Sequence, residues 1–202
     1  FIPLPDRIIT IGDHTLKMFR DKGGYKDEML RNGGAWRYTY LWKDNIESNK
    51  VNARKTVLVA TPVDMLMARI LLLDLKKAFR STYTDIKFII KCYPATPFSS
   101  LKIGMDNNDL FQVVDDPIEK LLDVIDTVIY TTSTVGIESL VREKKVIRFI
   151  PENLITADPL DGIQSDLYFT CYEGDCFEII HTALEFNITE KMKMAMMQLK
   201  HE

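Results

Sequence analysis

Three cysteines, Cys92, Cys171 and Cys176, are too few and too scattered for a disulfide framework, and no C-x-x-C pair occurs among them. Histidine is as sparse: His14, His181 and His201 stand far apart, so no Cys/His pattern with metal-ligand spacing exists. Reduced, structural thiols of a cytosolic protein are the expectation. Neither sign of charge dominates. A net charge of −3 over 202 residues gives no electrostatic footprint for nucleic acid, and none is expected as a partner. No apolar run approaches the roughly 18 residues of a membrane span. The richest run, Met65 to Leu75, is broken by Arg69 and Asp74. No secretory leader is visible. The glycine patterns G-x-x-x-x-G-K-[ST] and G-x-G-x-x-G are both missing, as is the G-x-S-x-G elbow. Those gaps argue against a P-loop NTPase, weaken an NAD-type reading and give no support to an elbow-type hydrolase.

What remains is ordinary globular composition, 46% hydrophobic and 27% charged, enough for one large domain or a domain with an appendage. The chain opens on Phe1 rather than Met and reads as a segment excised from a longer protein. Its first part gives a short strand, Arg7 to Ile11, then a helix from His14 to Lys22 capped by Asp13 and stopped by Gly23-Gly24. A second short helix is expected over Lys26 to Arg31, and an extended aromatic segment over Ala35 to Trp42. Lys43 to Arg54 is polar and without periodicity, which suits a linker. We therefore divide the chain into 1–50 (the tail of a preceding domain plus linker), 51–187, and a C-terminal helix in 188–202 covering Glu190 to Lys200.

From Thr56 onward, apolar strands alternate with helices. Strands are expected at Thr56–Ala60, Ile86–Cys92, Phe111–Val114, Thr127–Tyr130, Val146–Ile150 and Leu167–Cys171. Thr61 and Pro62 suit the cap and first turn of a helix running to about Ser81. Asp115-Asp116-Pro117 suits the start of another, through Leu122 to Ile125. Asp175 to Phe186 also reads as helix. Strands apolar throughout, with helices between them, specify an α/β fold: a parallel sheet covered on both faces. Ligands of such sheets sit outside the carboxyl ends of the strands.

The segment from Val128 to Leu140 carries the most chemistry. A buried strand runs into Thr131-Thr132-Ser133-Thr134-Val135-Gly136, four hydroxyls and a glycine, and then into a helix. Free backbone N–H groups and the positive end of a helix dipole would meet a phosphate or sugar-acid carboxylate there. The plainer alternative is that Ser133 or Thr134 only caps the helix. Glu138 gains from the dipole in either case, but it does not fit a capping box, whose partner position would be Val135. It could accept both hydroxyls of a ribose. Lys91 and Tyr93 close the Ile86 strand on the same sheet edge, where Lys91 could meet a phosphate and Tyr93 could stack on a base or sugar. A plain strand-ending loop would serve as well. Asp13-His14 invites acid–base chemistry without an identifiable partner. Met192, Met194, Met196 and Met197 read as packing surface.

Thr132-Ser133-Thr134-Val135-Gly136-Ile137-Glu138-Ser139-Leu140, followed by Lys144-Lys145-Val146, resembles the STVGLEAL…GKPV signature of bacterial capsule and surface-polysaccharide glycosyltransferases. That family has the GT-B fold, two Rossmann-like domains facing a cleft. Pro5 to Gly12, Gly23-Gly24-Tyr25 and Gly34 to Leu41 resemble the passage leaving its N-terminal domain. The resemblance implies that this chain is the C-terminal, donor-binding half, preceded by an N-terminal domain that is absent here. It implies a nucleotide-sugar donor bound by Thr132, Ser133, Thr134 and Gly136, a ribose held by Glu138, and a pocket lined by Lys91 and Tyr93. It implies a surface-glycan acceptor, no separate cofactor or metal, and a cytoplasmic site with peripheral association at the inner membrane face. Relatives that use CMP-activated acidic sugars carry His-Pro after the second strand; Tyr93-Pro94 stands there instead, leaving a UDP or other donor open. No Gly precedes Lys145-Val146 where the family has one. The family's general base would lie in the absent domain, so no catalytic residue is assigned. A sugar-nucleotide 2-epimerase of the same fold and a non-catalytic interaction module are the competing expectations.

Overall fold

The computed structural model describes residues 4–42, 54–80, 85–105, 108–161, 163 and 165–189. They fall into two units, one within residues 1–45 and one within residues 46–196. The helix expected over Glu190 to Lys200 and most of the linker Lys43 to Arg54 lie outside the described residues.

In the first unit, β1 (Ile8–Thr10) pairs in parallel with β2 (Leu30–Asn32), and α1 (Asp13–Asp21) connects them. Both Lys22 and Gly23 donate to the Met18 carbonyl, at 3.0 and 3.2 Å, which closes α1. Three local expectations are corrected here. Asp13 does not cap α1: Gly12 precedes it, and the Asp13 carboxylate instead accepts from the Asn32 amide at 2.7 Å. Lys26 to Arg31 is a single 3-10 turn (Asp27–Met29) that runs straight into β2. So short a segment cannot sustain a helix nucleus, and strand pairing gives Leu30 a buried place. Ala35 to Trp42 is not extended. Trp36–Trp42 winds as a 3-10 helix, with the Thr39 hydroxyl on the Trp36 carbonyl at 3.1 Å. Aromatic content favours a strand only where a partner strand is available.

The second unit is one parallel sheet of six strands: β3 (Lys55–Ala60), β4 (Ile86–Lys91), β5 (Phe111–Val114), β6 (Thr127–Tyr130), β7 (Lys145–Ile150) and β8 (Tyr168–Tyr172). Their spatial order is β5-β4-β3-β6-β7-β8. Counted from β3, this is the doubly wound order 3-2-1-4-5-6, with helices around the sheet: a Rossmann-like α/β fold. The chain winds outward from β3 to β5 and then crosses back to lay β6 on the other side of β3. Register runs from Lys55↔Ile86 to Ala60↔Lys91 on one flank of β3 and from Val57↔Thr127 to Ala60↔Tyr130 on the other.

Side chains alternate between the faces of each strand. Val57, Val59, Phe88, Ile90, Ile129, Ile147 and Phe149 join one core with Leu71, Leu72, Leu75 and Phe79 of α2 (Met65–Phe79) and Ile180 and Ala183 of α6 (Cys176–Glu185). Phe79 centres it, 4.8 Å from the Phe88 ring and 5.4 Å from Phe177, and Leu101 of the short α3 (Phe98–Leu101) joins it. Leu58, Val128 and Val146, one residue off in each strand, face the other way and are also fully buried. On that side α5 (Val135–Val141) packs against β6 and β7. Burial of β3 on both faces accounts for its apolar run from Val57 to Ala60.

Two helix starts differ from expectation. Thr61 does not cap α2: its hydroxyl is used elsewhere, and Asp64 caps instead, accepting from the Met67 amide at 2.8 Å. Pro117 precedes α4 (Ile118–Leu122) in an extended conformation, and neither Asp115 nor Asp116 supplies a side-chain cap. Lys145, at the foot of β7, donates to the carbonyls of Leu184 and Phe186 at 3.1 and 3.2 Å and so closes the last turn of α6.

α5 ends in a Schellman arrangement. Lys144 donates to Ser139 at 2.9 Å and Glu143 to Leu140 at 3.0 Å. The C′ residue is Glu143, at φ +58, a left-handed position where glycine is favoured. Glu143→Gly is expected to raise unfolding stability by about 1 kcal/mol, measured as a higher urea midpoint with unchanged slope; an unchanged or lower midpoint would show that the Glu143 side chain offsets its backbone cost.

Candidate functional site

The point where the winding reverses lies between β3 and β6, and folds of this order take their ligands outside the carboxyl ends of the strands at that point. β6 delivers the hydroxyl-rich turn to this point. β3 delivers Thr61, and β4, on the far side of β3, delivers Lys91, Cys92 and Tyr93. With about 4.8 Å between neighbouring strands, the β4 and β6 ends stand roughly 10 Å apart across β3.

In the turn, Thr131 is fully buried, while Thr132, Ser133 and Thr134 are half-buried. The Ser133 hydroxyl accepts from the Val135 amide at 3.3 Å, and the Ser133 carbonyl accepts from Gly136 at 3.3 Å. The Thr134 carbonyl accepts from Ile137 at 3.0 Å and Glu138 at 3.3 Å, and the Thr134 side chain makes no cap bond to α5. The amides of Thr132, Ser133 and Thr134 donate to no acceptor among the described residues. Three backbone donors are therefore unspent at the switch point. The Thr131 hydroxyl is also buried without a hydrogen-bond partner among the described residues.

Gly136 has a packing reason of its own. A Cβ there would lie 2.7 Å from the Tyr130 ring, so only glycine lets the first turn of α5 settle on that ring. Tyr130 ends β6 fully buried, and its hydroxyl donates to Asp158 at 2.9 Å. Tyr168 donates to the other Asp158 oxygen at 2.6 Å, and Arg148 stands 3.4 Å from it. The Arg148 guanidinium also donates to the Thr156 hydroxyl at 2.9 Å. This buried carboxylate, with two phenol donors and a cation, ties the β7–β8 loop to the sheet directly behind the turn. Burial, followed by the Asp158 charge, pushes the Tyr130 phenol far above its ordinary range; burial and the same hydrogen-bonded acceptor raise Tyr168.

Glu138 is 5% exposed, in the first turn of α5, and is engaged within the protein. Lys91 is half-buried and donates to the Asp115 carbonyl at 2.8 Å, bracing the β4 end against the β5 end. The Thr61 amide donates to the Lys91 carbonyl at 3.1 Å, and the Tyr93 amide to the Thr61 hydroxyl at 3.2 Å. Tyr93 remains 49% exposed on that edge. Burial raises the Cys92 thiol, which lies between them. The residues expected from the sequence thus form two groups on one sheet edge: Thr132, Ser133, Thr134, Gly136 and Glu138 at β6, and Lys91 and Tyr93 at β4. His14 is exposed on α1, in the first unit. The Asp158 cluster was not read from the sequence. Its signals were Tyr130 and Arg148, polar tips inside otherwise apolar strands, which must find partners when buried.

No family profile and no curated protein matches this chain. Solved structures do. A S. aureus MnaA structure with UDP aligns at a TM-score of 0.64 with 12% identity, over 90% of this chain and 51% of that one. A glycotransferase of kitacinnamycin aligns at 0.57 with 11% identity, over 98% and 50%. The glycosyltransferase SnogD from Streptomyces nogalater aligns at 0.50 with 16% identity, over 76% and 40%. At these identities the likeness is one of fold, the Rossmann-like architecture of GT-B proteins. The chain spans about half the length of these structures or less. Among the described residues, no helix is long and apolar enough to cross a membrane.

Above the ordinary tyrosine range near pH 10, the unfolded chain releases the Tyr130 proton while the folded chain retains it. The stability associated with this group is fully present below that pH and is lost as pH rises beyond it. Tyr130→Phe is expected to flatten the alkaline limb of a stability–pH curve. It should also cost about 1–3 kcal/mol at neutral pH, by removing one donor from buried Asp158. An alkaline limb unchanged in the variant would remove Tyr130 from this role.

Proposed function

We propose that the second unit is the donor-binding half of a nucleotide-sugar-dependent glycosyltransferase, acting on a glycan acceptor in surface-polysaccharide assembly. One observation carries the reading. The three unspent amides of Thr132, Ser133 and Thr134 lie at the switch point of a 3-2-1-4-5-6 sheet, where such folds bind their ligands. A phosphate placed there would accept from donors that are already oriented. Such preorganisation stabilises the charge that develops on a departing nucleotide without rearranging the protein. The fold shared with two glycosyltransferases and with a UDP-bound structure supports the same reading.

In this proposal the turn takes the donor phosphates, and Gly136 sets the height of the turn above Tyr130. Glu138 takes the ribose hydroxyls, and Lys91 and Tyr93 form the wall on the β4 side. The general base belongs to the other half of the enzyme, so the chain alone binds donor and does not turn it over. The protein works in the cytoplasm or at the inner membrane face. A sugar-nucleotide 2-epimerase would instead convert a nucleotide-sugar without any acceptor, and product analysis separates the two.

Calorimetric titration of UDP, CMP and GDP, and of their sugars, tests the reading. One nucleotide class is expected to bind saturably. Ser133→Ala and Glu138→Ala should each weaken it by about tenfold, the loss expected for one hydrogen bond to a charged group. Absence of saturable binding by any of them would contradict the proposal and favour a non-catalytic module.

A further inference from the structure

We infer that Cys171 and Cys176 form a redox-modification site, a dithiol pair that closes into an intrachain disulfide joining the end of β8 to the start of α6. Cys171 is the penultimate residue of β8, and Cys176 is the first residue of α6. Both are fully buried, and their sulfurs lie 3.6 Å apart in a hydrogen-bonding contact. A disulfide needs about 2.05 Å, so roughly 1.5 Å of closure is shared between two side chains.

The intervening residues, Tyr172 to Asp175, hold the sulfurs face to face. Asp175 donates to the Tyr172 carbonyl at 3.0 Å and Glu173 to the Ile150 carbonyl at 3.2 Å. Gly174, at φ +99, donates to the buried Asp74 carboxylate of α2 at 3.1 Å. With the partner sulfur fixed this close, the second step of an exchange is intramolecular and outruns release of a mixed disulfide. The contact with Cys171, and then burial, keeps the Cys176 thiol protonated. Oxidation therefore waits on local opening of the Tyr172–Asp175 turn and is slow in both directions. Cys92 has no such partner; it lies at the end of β4, four strand spacings or about 19 Å from β8.

The oxidant is a small-molecule disulfide. The thiolate of one cysteine attacks it, breaking its S–S bond and releasing one reduced thiol. The second cysteine then attacks the protein sulfur of the mixed disulfide and releases the other reduced thiol. The chain loses two hydrogens and two electrons pass to the reagent, which leaves as two thiols.

The test treats the folded chain with oxidised glutathione until the reaction reaches its plateau. Acid quenching, alkylation under denaturing conditions and peptide mass spectrometry follow. The expected major product links the Cys171 and Cys176 peptides and lacks two hydrogens, while Cys92 carries glutathione or the alkylating group. In Cys171→Ser or Cys176→Ser the link is gone and the remaining thiol holds glutathione instead. Recovery of wild-type Cys171 and Cys176 as two alkylated thiols, or as two separate glutathione adducts, overturns the inference. The wild-type product decides the matter even if a variant folds poorly.

Discussion

Everything at the proposed site depends on β3 being buried on both faces between β4 and β6. Val57, Leu58 and Val59 are wholly excluded from solvent, and no polar side chain would be tolerated there without a partner. That constraint makes β3 the centre of the sheet and forces the chain, once it has laid down β5, to return across it. The return places the end of β6 beside the end of β3, at the switch point where folds of this order take their ligands. The turn from Thr131 to Gly136 is thereby delivered to a fixed position by the core of the domain.

The turn rests on a second layer of constraint. The start of α5 sits on the Tyr130 ring because Gly136 has no side chain, and Tyr130 is held by Asp158, which also binds Tyr168 and faces Arg148. A buried carboxylate is tolerable only with such donors around it. On the other side of β3, the Thr61 amide on the Lys91 carbonyl and the Lys91 ammonium on the Asp115 carbonyl knit the ends of three strands together. Both walls are rigid for identifiable reasons, while the amides between them are left unspent. In the proposed reading, that contrast between a braced frame and free donors is what the site offers to a phosphate.

Much of this was legible in the residues. The six strands of the second unit are apolar runs of the right length, and a buried parallel sheet is the arrangement that such runs specify. The hydroxyl-rich turn stood out because four hydroxyls and a glycine follow directly on an apolar strand. Less legible was anything that depends on partners distant in sequence. Asp158 lies in a loop without periodicity, and its side-chain contacts come from β6, β7 and β8. Thr61 looked like a helix cap because local chemistry allows it; its hydroxyl is taken by Tyr93, 32 residues away, and Asp64 caps instead. In the first unit, Ala35 to Trp42 has strand-forming residues, but Trp36–Trp42 forms a 3-10 helix. Local preference is a weak guide wherever pairing must be supplied from elsewhere.

The central claim is that nucleotide phosphate binds at the turn after β6. Amide-resolved NMR titration of this chain with UDP tests it most directly. The account predicts saturable shifts concentrated on the amides of Thr132, Ser133 and Thr134, with smaller shifts at Lys91 and Tyr93 across β3. Saturable shifts centred elsewhere in the sheet, with those three amides unmoved, would contradict it.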